Sequence, residues 1–265
     1  MLVHLLDIWH YNMGFHRGPR IITDGLVLSI DPSSKRCNSA SGGTSLTNLA
    51  LYGTSSSVVN GTTSESIVSL DGVNDYITVN SSVTNATLSP AVATFSIWFK
   101  ADDTYSSGNT CSLISRGNYN NSGGFFIHMR NSSGNCQVWA TFSKSTSSSY
   151  QFEGTSAITI NPFGEWNNVT VTVNDTISLY TNGILSATKV RTVSNIIYGN
   201  GNINTSGDTD LRWVSSLGYA PTLEQGSGGT WRPFNGDFGL GMMYNRVLMA
   251  DEVLQNYNAQ KSRFI

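Results

Sequence analysis

Charge is scarce in this chain. Asp, Glu, Lys and Arg together make up 12% of its 265 residues, about half the usual share of roughly 25%. The formal net charge of -2 excludes a general electrostatic attraction to nucleic acid or to an anionic membrane surface. Glutamate is scarce: Glu65, Glu153, Glu165, Glu224 and Glu252 are the whole set. None of them stands in an alternating carboxylate pattern along a strand, so paired acids about 5 Å apart, as sugar cleavage needs, have no obvious source. Three of the four histidines, His4, His10 and His16, lie near the N-terminus and only His128 lies in the body. With no G-x-S-x-G elbow either, a Ser/His acyl-transfer site has little to be built from. Cys37, Cys111 and Cys136 are an odd, widely spaced set without a CxxC, which argues against a metal or redox centre. Cys111 and Cys136 both fall in expected strands and are candidates for a cross-sheet bridge; the default is a buried free thiol behaving as a small hydrophobe. No run of 18 apolar residues is present, so no membrane-spanning helix is expected.

What is abundant is Gly, Ser, Thr and Asn, the composition of many strands joined by tight turns. Period-2 stripes appear throughout. Leu26 to Asp31 opens the series. Ile67 to Leu70 and Tyr76 to Val79 flank the turn Asp71-Gly72-Val73-Asn74-Asp75, and Phe95, Ile97 and Phe99 alternate with Ser96, Trp98 and Lys100. A Ser/Gly/Asn-rich loop is expected from Asp31 to about Thr63. The clearest local signal is a meander. Val169, Val171 and Val173 alternate with Thr170 and Thr172, Asn174-Asp175 turns the chain, Ile177 and Leu179 return it, and Asn182-Gly183 is the favoured type I′ dipeptide before a third strand. Further strands are expected at Gly124 to Arg130, Gln137 to Phe142, Ala157 to Ile160 and Leu211 to Leu217. At the end, Phe234, Phe238, Leu240, Met242 and Tyr244 describe a half-buried strand that Gly236, Gly239 and Gly241 allow to bulge. Val253, Leu254 and Tyr257 follow at helical spacing, with Asp251 and Glu252 in the first turn, where carboxylates complement the macrodipole. About a dozen short strands and one terminal helix make an all-β, two-sheet antiparallel sandwich the economical architecture.

Residues 1–22 differ in texture and read as an extended arm, with 23–265 forming the sandwich. Trp9, Phe15, Arg17 and Arg20 are its candidate docking residues, the alternative being that the arm packs on its own domain. Met13 is an alternative start. The segment MLVHLLDIWHYN lacks a basic n-region and a small-residue cleavage site, so a secretory leader is not expected. Sequons such as Asn60-Gly61-Thr62 and Asn168-Val169-Thr170 then read as chance products of composition.

Four segments in register resemble the laminin-G/concanavalin A-like superfamily of jelly-roll sandwiches, in particular its pentraxin-like branch. SLDGVNDYI at 69–77 is similar to the family's "FDG-x-DDY" turn and FSIWFK at 95–100 to its "FTISAWVK" strand. Trp166 through Gly183 is similar to "WHHVAVTYD…LYVNG", and 234–258 to the closing "FNG…YNRxL…E…NYN". The segment MGFHRGPRIITDGLVL at 13–28, taken with QNYNA at 255–259, resembles virion structural proteins of tailed bacteriophages, notably those of marine bacteria.

The first resemblance implies calcium held at the sandwich rim by Asp71, Asn74 and Asp75, with Asp237 next, oxygen ligands suiting a hard cation; the simpler reading is that these side chains cap their own tight turn. A sugar platform would draw on Trp213, Tyr219 and Trp231, with Trp139 and Tyr150 also available, against the plainer roles of core or interface aromatics. The E-x-D-x-(x)-E strand of glycanases on this fold is absent. The second resemblance implies a non-enzymatic particle protein located in the virion, assembled in the bacterial cytoplasm. It would dock on other capsid or tail subunits through its arm and self-associate, without nucleic-acid or membrane contacts. The alternative is a glycan-binding adhesin that attaches to host surface polysaccharide.

Overall fold

The computed structural model describes residues 19–38, 42–50, 55–79, 92–102, 109–118, 123–132, 135–143, 152–154, 158–161, 163–191, 211–213, 230–231 and 234–265. Strands dominate and lie in two layers. The first sheet holds β1 (Leu26–Ile30), β4 (Thr62–Thr63), β5 (Val68–Asp71), β7 (Ala93–Ala101), β13 (Asn167–Val173), β14 (Thr176–Thr181), β15 (Ile184–Val190) and β18 (Asn235–Tyr244). Its order is β15-β14-β13-β7-β18-β5-β4, with β1 also paired to β18. The second sheet holds β2 (Ser45–Thr47), β3 (Ser55–Val59), β6 (Tyr76–Val79), β8 (Asn109–Asn118), β9 (Gly123–Ser132), β10 (Asn135–Ser143), β11 (Phe152–Gly154), β12 (Ile158–Ile160), β16 (Leu211–Trp213) and β17 (Thr230–Trp231). It runs β11-β10-β9-β8-β16-β6-β3-β2, with β12 on β10 and β17 on β8. Pairing is antiparallel except where β17 meets β8. Helix α1 (Ala250–Gln260) and a 3-10 turn (Lys261–Arg263) close the chain.

Alternation builds the main core. Phe95, Ile97 and Phe99 of β7, Val169, Val171 and Val173 of β13, and Ile177 and Leu179 of β14 face Leu113, Phe125, Ile127, Val138 and Phe142 of the second sheet in one buried cluster. The meander forms as expected, with Asn182 and Gly183 both at positive φ, 51° and 79°, in the two-residue turn between β14 and β15. All three cysteines are free and buried. Cys111 stands opposite Met129 and Cys136 opposite Asn131, so a whole strand, β9, separates the two thiols and no bridge forms.

Two expectations change, and one turn takes a role that alternation did not specify. The stretch read as a loop to Thr63 contains β2, β3 and β4, whose alternating serines and threonines hide strands because only Leu46, Ser56, Val58 and Thr63 turn inward. The strands that flank Asp71–Asp75 are not a hairpin: β5 pairs β18 in one sheet while β6 pairs β3 in the other, so the turn crosses between layers. Finally, β18 is buried on both faces from Phe238 to Tyr244. A bulge between Phe238 and Leu240 changes the face: Phe238 enters the main core, while Leu240, Met242 and Tyr244 form a second cluster with Trp98, Leu248 and Val253 on the outer side of the sheet. Gly239 sits at that bulge because a Cβ there would run into the Phe264 and Trp166 rings.

Helix α1 seals this second core, with a face that is partly polar. Leu254 is 43% exposed, whereas Asn256 and Gln260 are buried. Asn256 donates to the Tyr244 hydroxyl (3.0 Å) and accepts from the Ile22 N–H (2.8 Å); Gln260 accepts from Trp98 Nε1 (2.6 Å). The helix start is held by Glu252, which accepts from the Met249 N–H (2.8 Å) and forks with Arg246 (2.6 and 2.8 Å). That hydrogen-bonded pairing holds the Glu252 carboxyl below its usual range. Ile21 and Ile22 pack on the same cluster, so the last residues of the expected arm, Arg20 to Ile22, lie against the domain, with the Arg20 carbonyl accepting from Gln255 (2.7 Å). Among the described residues no helix is long and apolar enough to cross a membrane.

Candidate functional site

At the sandwich rim the ends of β5 and β7 and the start of β18 surround a cavity of about 500 Å³ that opens to solvent, within the range of small-ligand sites. Its polar wall comes from neighbouring strands in register, Ser69 opposite Asp237 and Asp237 opposite Lys100. Ser69 Oγ donates to Asp237 Oδ1 (2.7 Å), and Lys100 Nζ lies 2.9 Å from Asp237 Oδ2. The ammonium also stands 5.5 Å from the Trp166 ring centroid. Asp102 and Asn235 complete the polar set, joined at 3.4 Å between Asn235 Nδ2 and Asp102 Oδ2 and by the Asp102 N–H donating to the Asn235 carbonyl (2.9 Å). Phe163 and Gly164 form the apolar side. Gly236, at φ +143°, lets β18 approach β7 so closely that a Cβ would collide with the Lys100 carbonyl. The arrangement presents carboxylates, an amide and an ammonium beside the Phe163 ring. It can exchange hydrogen bonds with vicinal hydroxyls while a ring stacks on a sugar's apolar face.

The Asp71–Asp75 turn adjoins this cavity, since Asn235 pairs with Asp71 and packs on Gly72. Asp71 Oδ1 accepts from the Val73 N–H (2.8 Å), and the buried Asp75 accepts from the Asp71 N–H (2.8 Å) through Oδ2. Both side chains are therefore occupied in holding the turn. Asp75 Oδ1 is buried without a hydrogen-bond partner, and burial pushes the Asp75 pKa up, with the neighbouring Asp71 charge adding to it. The Asn74 carbonyl accepts from Asn60 Nδ2 (3.3 Å). Among the described residues no group of three His, Cys, Asp or Glu side chains is arranged to hold a metal ion. Asp237 lies apart from Asp75 in this respect, committed to Lys100 and Ser69.

The expected aromatic platform is placed in part. The backbones of Trp213 and Trp231 pair with β8, opposite Ile114 and Thr110, in the same sheet as Trp139. Tyr219, Tyr150, Trp9, Phe15 and Arg17 lie outside the described residues, and Arg20 is exposed. The residues that line the rim cavity carried no sequence signal beyond Asp237. Lys100 read as part of a strand and Asn235 as part of the closing motif, while Asp102 stood in no pattern.

A family profile described as the concanavalin A-like lectin/glucanases superfamily, in its laminin G form, matches residues 71–254, and the chain belongs to that superfamily. No curated protein sequence matches it. Among solved structures it is similar to the ligand binding domain of botulinum neurotoxin serotype D in complex with N-acetylneuraminic acid, at 17% identity and a TM-score of 0.61 over 90% of this chain and 52% of that one. It is also similar to Trypanosoma rangeli sialidase in complex with 2,3-difluorosialic acid, at 13% identity and a TM-score of 0.59 over 92% of this chain and 34% of that one. The receptor binding domain of the botulinum neurotoxin C/D mosaic serotype aligns at 14% identity with a TM-score of 0.56, over 90% of this chain and 52% of that one. The chain thus spans about half the length of the neurotoxin chains and a third of the sialidase. At these identities the likeness is one of fold.

Proposed function

We propose that this domain is a non-enzymatic glycan-binding module that takes a neutral, hydroxyl-rich sugar in the rim cavity. The observation that carries the reading is the convergence of Asp102, Asn235, Asp237 and Lys100 beside Phe163 in an open cavity of about 500 Å³. Membership of a lectin-like superfamily and structural neighbours solved with sialic-acid ligands support the glycan-binding part of this reading. Attachment to a surface polysaccharide is the use such a module serves. In this reading the Asp71–Asp75 turn is structural and calcium is dispensable.

A glycan array probed with and without a calcium chelator tests it. Binding to neutral oligosaccharides is expected in both conditions, and Asp102→Ala should weaken it at least tenfold with an unchanged thermal midpoint. An array that retains nothing under either condition would sink the reading, and loss of binding or of thermal stability on chelation would restore calcium to the Asp71–Asp75 turn.

A second reading, a phage particle protein, is supported by one observation. The two segments that carry the phage resemblance, 13–28 and 255–259, meet in the fold: Gln255 donates to the Arg20 carbonyl and Asn256 accepts from the Ile22 N–H. On this reading the domain projects from the virion and residues 1–18 dock on neighbouring capsid or tail subunits. Both readings can hold for one protein.

A further inference from the structure

A second cavity, of about 690 Å³ and open to solvent, lies where β1 begins and the chain leaves β2. Among the described residues Leu26, Leu49 and Ala50 make its apolar wall, Thr23 and Thr47 line it with hydroxyls, and Arg36 is its one charged residue. It shares no residue with the rim cavity. Leu26 stands opposite Tyr244, and the run of β18 from Asp237 to Tyr244, about 23 Å of strand, separates the two cavities.

Hydrogen bonds to the body of the fold hold the walls in place. The buried Asn48 braces them against β1: its Oδ1 accepts from the Ser29 N–H (2.8 Å) and the Ala50 N–H (2.9 Å), and its Nδ2 donates to the Val27 carbonyl (3.0 Å). The Leu49 N–H donates to the Ser29 carbonyl (2.9 Å), and the Leu26 N–H to the Thr23 carbonyl (3.1 Å). The Thr47 N–H donates to the Cys37 carbonyl (2.8 Å), which sets Arg36 beside Thr47. A cavity whose backbone is fixed in this way costs little ordering when a ligand enters. The charge of the cavity is one-sided. Arg36 is exposed, and among the described residues its guanidinium makes no hydrogen bond or ion pair, its one bond running from the backbone N–H to Ser34 Oγ. The acids nearest in the chain to the two walls are already engaged, Asp24 by Arg246 and Asp31 by Arg263.

We propose that this cavity is a second binding site, for a small amphipathic carboxylate with an aliphatic chain. Arg36 takes the carboxylate in its planar fork, the Thr23 and Thr47 hydroxyls offer further donors to its oxygens, and Leu26, Leu49 and Ala50 cover the chain. The described wall is aliphatic, without an aromatic ring, and so suits a hydrocarbon chain better than the face of a sugar. The site goes beyond the glycan-binding reading and does not rest on it, so either can fail alone.

The test is an NMR titration of the isotope-labelled full chain with sodium hexanoate, with sodium acetate, which lacks the chain, and with hexanol, which lacks the charge. Hexanoate should bind at least tenfold more tightly than either fragment, and the amide signals of 23–26 and 47–50 should move most. Arg36→Gln should weaken hexanoate at least fivefold while leaving hexanol binding and the thermal midpoint unchanged, because the guanidinium holds nothing else in the fold. Arg36→Lys should fall between the two. Ala50→Leu, which narrows the cavity, should weaken hexanoate and hexanol alike. Hexanoate no tighter than its fragments, a preference that survives Arg36→Gln, or signal changes centred elsewhere on the domain overturns the proposal. If Arg36→Gln does not fold, unchanged hexanoate affinity in Ala50→Leu overturns it equally. Asp102→Ala should leave hexanoate binding intact, and its effect on neutral glycans bears on the rim cavity alone.

Discussion

Trp98 is the residue around which the outer core assembles. Its ring lies between Tyr257 (5.5 Å between centroids) and Phe264 (4.4 Å), and its indole N–H is answered by Gln260. A tryptophan pointing away from the main core would otherwise leave a large apolar surface in water, and the terminal helix exists to cover it. His128 shows the opposite economy: burial that opposes its charged form. Burial pushes its imidazole down to about 4, with the nearby Arg130 charge working in the same direction. The folded state therefore resists a proton that the unfolded chain accepts near 6.5. The resulting stabilisation is complete above pH 6.5 and is lost as the pH falls toward 4, on the order of 3 kcal/mol over that interval. Denaturant midpoints measured from pH 7 to 4 should show this decline, and a His128→Asn variant should lack that component of the slope.

Among the elements, β18 does the most to organise the molecule. It pairs with β7, β5 and β1, supplies Phe238 and Met243 to one core and Leu240, Met242 and Tyr244 to the other, and begins in the rim cavity with Asn235, Gly236 and Asp237. The bulge at Gly239 makes this double service possible, by shifting side chains two apart onto opposite faces. A Gly239→Val substitution would drive a branched side chain into the Phe264 and Trp166 rings, so a loss of about 3 kcal/mol in urea unfolding is expected. A variant as stable as the wild type would show that the C-terminal segment does not pack where these contacts put it. The period-2 stripe in the sequence marked β18 as a strand and its glycines as places to bulge. It could not tell that the stripe divides between two cores, because a bulge breaks the link between sequence parity and sheet face. The same limit applies to α1, whose buried Asn256 and Gln260 look like solvent-facing positions until Tyr244 and Trp98 are placed opposite them.

For the whole molecule, the two sheets, the helix and the strap Arg20–Ile22 form one packed unit in which the strap meets the C-terminal helix. Two truncations, after Gly18 and after Ile22, isolate the contribution of this strap. Deleting through Ile22 should cost about 2 kcal/mol, since it removes two isoleucines from the outer core together with the hydrogen bonds from the Ile22 N–H to Asn256 and from the Tyr244 hydroxyl to the Ile22 carbonyl. Equal stability of the two truncations would refute the strap. On the second functional reading, the shorter deletion should also abolish incorporation into particles.

The amino-acid sequence by itself determined the all-β class, the meander from Asn167 to Val190, the closing strand and helix, and the scarcity of catalytic acids, because alternation, turn dipeptides and composition are local properties. Only the tertiary structure decided the rest. It brought Ser69 to Asp237 across 168 positions of chain, sent β5 and β6 into different layers, and set Ser112, His128 and Trp139 in one cross-strand row. Those placements depend on register between strands distant in the chain, and register is fixed by the packing of the core rather than by any short stretch of residues.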